Sequence, residues 1–154
     1  MCCAPEPAVR SFLELTTEQW RETLAGYLTG VFLTCREPQR AMRAQRSGRI
    51  VLMSSLAARV GAPGAAAFAA SMGGVLGLAR SLAREVAADG IRVNTLSCSD
   101  VLSHGGPGPE AQVSPLGREL RAEDIVEAAL FLLSDESSYL VGQDLRVTGG
   151  ASLW

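Results

Sequence analysis

The sequence predicts an α/β fold with a parallel sheet, and three observations carry that expectation. Residues 49–54 (RIVLMS) form a short run that is apolar on both faces, as a strand covered by two layers must be. A second strand-like run, 91–97 (IRVNTLS), follows a long helical pattern at 65–88. A third, 143–148, follows another helical pattern at 123–133. Strands alternating with helices in this way are the signature of parallel pairing through crossover helices.

Each element has its own local reason. Thr16 and Gln19 have capping-box spacing, and the apolar residues Trp20, Leu24, Leu28, Val31, Phe32 and Cys35 recur at steps of three and four. This predicts an amphipathic helix over about 17–45, kinked near Gly30 and Pro38 and ended at Ser47–Gly48. Strand 49–54 reads as a central strand. Residues 55–64 read as a Gly/Pro loop, and 65–88 as a helix closed by Asp89–Gly90, where glycine supplies the left-handed cap. Residues 98–120, with Gly105, Gly106, Pro107, Gly108 and Pro109, read as a long loop of the kind that carries function. The last strand ends at Gly149–Gly150.

A chain of 154 residues that is 47% hydrophobic and 19% charged is expected to form a single globular domain over 1–154. The net charge of −2 and scattered arginines offer no basic stripe, so no nucleic-acid partner is expected. The four cysteines, Cys2, Cys3, Cys35 and Cys98, form no C-x-x-C pair and there is one histidine, so no metal site is expected. The apolar runs are short and residues 1–15 lack a leader pattern, which together predict a cytoplasmic protein with no membrane partner.

Several motifs then resemble one family. Leu15 to Trp20 (LTTEQW), Leu28 to Phe32 (LTGVF), Gly48 to Val51 (GRIV) with Ser54–Ser55, Ser81 to Glu85 (SLARE) and Gly90 to Asn94 (GIRVN) all contribute. So do Pro115 to Arg118 (PLGR), Glu123 to Ile125 (EDI), Phe131 to Glu136 (FLLSDE), Gly142–Gln143 and Gly149–Gly150. Together they resemble the short-chain dehydrogenase/reductase superfamily, closest to β-ketoacyl carrier-protein reductases. The resemblance implies a Rossmann-like, doubly wound parallel sheet, here incomplete, with the three strands standing for the last three of the family sheet.

The same resemblance implies that the family's chemistry is altered. In the family a serine precedes a tyrosine by thirteen positions, and a lysine follows the tyrosine by four. Here Ser55 keeps the serine position, Phe68 stands at the tyrosine and Met72 at the lysine. Tyr27 stands at the family asparagine, and Cys98–Ser99 at a Pro-Gly pair beside the nicotinamide. Phenylalanine has no proton to give a carbonyl oxygen, and methionine has no ammonium. The chain also reads as starting after the family's Gly-rich phosphate turn, and the glycines at 105, 106 and 108 do not open a helix after a strand. The resulting expectations are no bound cofactor, no carbonyl reduction, and a subunit role beside a reductase-like homologue in acyl or polyketide metabolism.

Two further readings stay open. Ser55, Cys98 and His104, with Asp100 nearby, offer polar groups for a repurposed non-redox pocket, set against their reading as ordinary loop and core residues. Alternatively, the chain keeps a reductase's ancestry without its activity. Phe68 and Met72 lie four apart on one helical face and read as core packing, and Tyr27 as a ring filling the space a smaller asparagine would leave. Helix 65–88 carries Ala69, Ala70, Gly73, Gly74, Gly77 and Ala83, which allow close helix approach. In the resembling family this helix and the preceding long one pair with their copies, which implies a homo- or hetero-oligomer.

Overall fold

The computed structural model describes residues 9–99 and 114–152. A three-stranded parallel sheet, ordered β1-β2-β3, is formed by β1 (Gly48–Ser55), β2 (Ile91–Cys98) and β3 (Asp144–Val147). Gly48 aligns with Ile91 and Ser55 with Cys98, so the two long strands start and end together. Among the described residues β1 is therefore an edge strand, although its composition reads as central.

The predicted long helix is instead a broken series. Its start is as expected: Thr16 Oγ1 accepts from the Gln19 amide at 3.2 Å, and Gln19 Oε1 accepts from the Thr16 amide at 3.1 Å. Helix α1 (Thr17–Leu24) then gives way to a π-helical turn, Ala25–Thr29, in which the Gly30 amide reaches back to the Ala25 carbonyl. Helix α2 (Gly30–Arg36) follows, and Pro38 caps α3 (Gln39–Gln45). The break before α3 has the expected cause, a proline that cannot donate an amide bond.

Beyond β1, the short helix α4 (Ala57–Val60) occupies what reads as loop. Helix α5 (Ala66–Val86) crosses back over β1 and β2. Ala67, Ser71, Val75, Ala79, Leu82 and Val86, at helical spacing, are its buried face. By length and composition the stretch Ala66–Asp89 could cross a membrane. Here it is the core helix, with Leu52, Val75, Ile91 and Val93 in one apolar cluster.

Gly90 turns the chain into β2 at φ +76°, as its left-handed role predicts. A Cβ there would also stand 2.2 Å from the Arg46 carbonyl oxygen, so the turn needs glycine twice over. Helix α6 (Ala122–Leu133) covers the other sheet face. Arg92 on β2 ties down its end by donating to Ser137 Oγ at 2.7 Å and to the Ser134 carbonyl at 2.8 Å. Asn94, almost fully buried, donates to the Leu140 carbonyl and accepts from the Gln143 amide, both at 2.9 Å, which fixes the turn into β3.

Candidate functional site

Parallel α/β sheets bind ligands at the carboxyl ends of their strands. Here that edge is made by Ser54–Ser55, Ser97–Cys98 and the residues after Val147. Ser55 is buried, at 8% exposure, and its Oγ accepts from the Ala57 amide at 3.1 Å, so the hydroxyl oxygen caps the turn into α4. Neighbouring Ser54 donates to the Met72 carbonyl at 3.2 Å and so ties β1 to α5.

The π-turn brings Tyr27 against the first turns of α5. Its ring meets that of Phe68 edge to face, with centroids 5.0 Å apart and planes at 78°. Met72, one turn further along α5, is 6% exposed and lies within the main apolar cluster, against which Tyr27, Leu28, Val31 and Phe68 pack. Residues 27, 68 and 72 thus converge, and they converge as apolar packing. The edge-to-face pair adds roughly 0.5–1.5 kcal/mol beyond area burial. The packing of Phe68 and Met72 is as the sequence suggests, and Tyr27 packs beside them. Their mutual contact is an addition, because the sequence does not show that position 27 faces position 68.

For the repurposed pocket the geometry is divided. Ser55 and Cys98 are paired neighbours at the ends of β1 and β2. Cys98 is also buried, with its Sγ 3.7 Å from the Ser54 carbonyl oxygen. Asp100 and His104 lie outside the described residues, as do the glycines at 105, 106 and 108. Arg59 on α4, just beyond the carboxyl end of β1, reaches Asp144 at the amino start of β3, and the sequence reading passes over both; a lone aspartate at the start of the last strand was the available signal.

At the amino end of α6 the Arg118 guanidinium donates to both Asp124 oxygens, at 2.6 and 2.7 Å. The Arg121 amide adds a bond at 2.9 Å. These bonds, Arg118 first, hold the Asp124 carboxyl well below its usual range and push Arg118 upward.

Comparison with known proteins shows what this geometry is similar to. A family model described as Enoyl-(Acyl carrier protein) reductase matches residues 2–152. The 3-oxoacyl-[acyl-carrier-protein] reductase FabG of Escherichia coli is 37% identical over 146 residues, 90% of this chain and 59% of the relative. That of Chlamydia pneumoniae is 35% identical over 145 residues, covering 90% of this chain and 58% of the relative. This chain therefore spans less than two thirds of the length of those relatives. A structure described as an NAD(P)-dependent gluconate 5-dehydrogenase from Beutenbergia cavernae, with NADP bound at low occupancy, superposes with a TM-score of 0.86. It is 36% identical, over 95% of this chain and 63% of that one. Acetoin dehydrogenase YohF from Salmonella typhimurium superposes at 0.85 with 28% identity, over 96% and 61% of the two chains. The expectation of no cofactor is overturned here, because a structure this similar carries NADP. The expectation rested on the substituted side chains together with the Gly-rich turn not found in the sequence, and a similar structure with NADP bound outweighs both.

Proposed function

We propose, from the premise that this chain belongs to the short-chain dehydrogenase/reductase superfamily, that it is a nicotinamide-family module that does not itself reduce a carbonyl. It would act in the cytoplasm as a subunit beside a reductase-like homologue in acyl or polyketide metabolism. The cofactor class follows the relatives and is NAD or NADP. When bound, that cofactor supplies hydride.

One observation carries the reading: Tyr27, Phe68 and Met72 meet in an apolar cluster where the family places proton-handling groups. The residues at this end do not fit a cofactor ribose and a reacting carbonyl, since neither a phenyl ring nor a thioether can donate a proton. No other residue of the chain restores the missing ammonium. All 14 of its Lys and Arg residues are arginine, and a guanidinium does not release protons in the working pH range. Ser55 remains, but its oxygen is engaged with the Ala57 amide. The pairing of Ser55 with Cys98 gives a non-redox pocket less support, because both are buried.

Assembly is part of the proposal. Gly73 and Gly77 lie on α5 with nothing within 4 Å of where a Cβ would stand, so a second helix can approach them closely. The test is NADPH oxidation with a β-ketoacyl thioester, run beside a full-length FabG relative, together with recovery of the chain from its own host. Turnover at the buffer level and co-purification of a full-length homologue are expected. Thioester-dependent turnover by the isolated chain would overturn the reading.

A further inference from the structure

The Arg59–Asp144 pair joins two segments that are 85 residues apart in the chain and separated in space by all of β2. Strands lie about 4.8 Å apart, so Arg59, following β1, reaches roughly 10 Å across the sheet to find its partner. The Asp144 carboxylate is 4% exposed and fully partnered. Its Oδ2 accepts from Arg59 Nε at 3.0 Å and from Nη2 at 2.8 Å. Its Oδ1 accepts from Thr95 Oγ1 at 2.9 Å and from Ser97 Oγ at 2.7 Å. Arg59 is itself 31% exposed, so the buried receptor is built into the sheet and its partly exposed partner lies on the segment above it. An uncompensated buried charge is costly, which makes the pair an all-or-none fastening.

The segment that Arg59 fastens is 56–65. It begins next to Ser55, where the Leu56 amide donates to the Cys98 carbonyl at 2.9 Å, and it ends where α5 begins. Leu56 is buried, Ala58 packs against the apolar cluster, and the Arg10 amide donates to the Gly64 carbonyl at 2.8 Å, while the stretch between is more open. Gly61 and Gly64 both take positive φ, and Val60 is 62% exposed. We propose that segment 56–65 is a strap over the carboxyl edge of the sheet, and that Arg59 on Asp144 is the latch that keeps it shut. When the latch releases, the strap lifts from the ends of β1 and β2 and opens Ser55 and Cys98 to solvent. Asp144 is then a positioning residue, acting on the edge only through Arg59.

Cysteine alkylation tests this with its own control. Cys98 lies against the strap at 9% exposure, whereas Cys35 is 5% exposed in the core on α2, away from the strap. Iodoacetamide labelling of the full chain, read at each cysteine by mass spectrometry, would compare wild type, Arg59→Met and the pair Arg59→Met/Asp144→Leu. The paired variant leaves no buried charge behind, so it keeps the test open if Arg59→Met alone unfolds. The latch predicts labelling of Cys98 at least about tenfold faster with Cys35 unchanged, as local opening requires. Equal acceleration at both cysteines in the paired variant would mean general destabilisation and would overturn the proposal. So would an unchanged rate at Cys98.

Discussion

Met72→Lys puts back the one charge the family uses at this position, and the structure says what that charge would meet. Met72 is 6% exposed and shares its cluster with Leu52, Val75 and Val93, with Tyr27 and Phe68 packed against it. A lysine there is desolvated with no carboxylate in that cluster, so its folded pKa falls below the ordinary 10.4. A depression of about 2–3 units corresponds to roughly 3–4 kcal/mol, a large share of a domain's stability of about 5–15 kcal/mol. The sign follows from linkage. The folded state binds the proton less well than the unfolded chain, so the penalty is complete below the folded pKa. It is relieved as pH rises from that value toward 10.4. Urea denaturation at pH 7 and again near pH 9.5 reads both quantities. The expected result is a loss of about 3 kcal/mol or more at pH 7, with part recovered at the higher pH relative to wild type. Wild-type stability at both values would mean that a polar, hydrated site surrounds position 72, and the apolar-cluster argument would fail.

Three other outcomes follow from particular contacts. Gly90→Ala places a Cβ 2.2 Å from the Arg46 carbonyl oxygen at φ +76°, and should cost about 2–4 kcal/mol in thermal or urea unfolding. Asp124 is held below its ordinary value of 3.8, so its contribution is present above that value and lost as pH falls through the lower folded value. Asp124→Asn should therefore flatten the acid limb of a circular-dichroism pH titration below about pH 4, its destabilising effect being largest near neutral pH and shrinking as pH falls. Gly73→Leu and Gly77→Leu meet open space and improve helix propensity by roughly 1 kcal/mol. They should leave the melting temperature level or higher while reducing the mass measured by light scattering, and an unchanged assembly would count against α5 as its seam.

The sheet was legible because its signals are local. Continuous apolar runs mark β1 and β2, Thr16 and Gln19 mark a helix start, and Gly90 marks a left-handed turn. The π-turn at 25–29 was not legible, since one extra residue in a turn barely disturbs an apolar stripe. Helix α4 was hidden because four residues running straight into Gly61, Pro63 and Gly64 carry no periodicity. At the site, the sequence identified positions 27, 68 and 72 but not their meeting, which depends on that same π-turn. The Arg59–Asp144 pair escaped because nothing local links residues so far apart. The cofactor expectation failed for a different reason. It was drawn from substituted side chains and from a Gly-rich turn not found in the sequence, and a similar structure with NADP bound overturns it.

The retained and the exchanged features fall on different layers of the molecule. The backbone frames the edge: β1 and β2 end in register, the π-turn sets position 27 against α5, and Ser54 fastens β1 to the Met72 carbonyl. The side chains at positions 68 and 72, set on that frame, are apolar. Physical chemistry gives this exchange a direction. Clustered polar and charged groups in an active site are held at a cost, and replacing a buried ionic group with well-packed apolar residues of similar size is often stabilising by about 1–4 kcal/mol. On the proposed reading, in which the chain does not perform the reaction, it keeps that gain. Edge-to-face packing of Tyr27 on Phe68, with Met72 in the same apolar cluster, fits that reading. A pocket under selection for new chemistry would instead keep converging polar groups, and the polar groups here, Ser54, Ser55, Thr95, Ser97 and Asp144, are each used to hold one part of the fold to another.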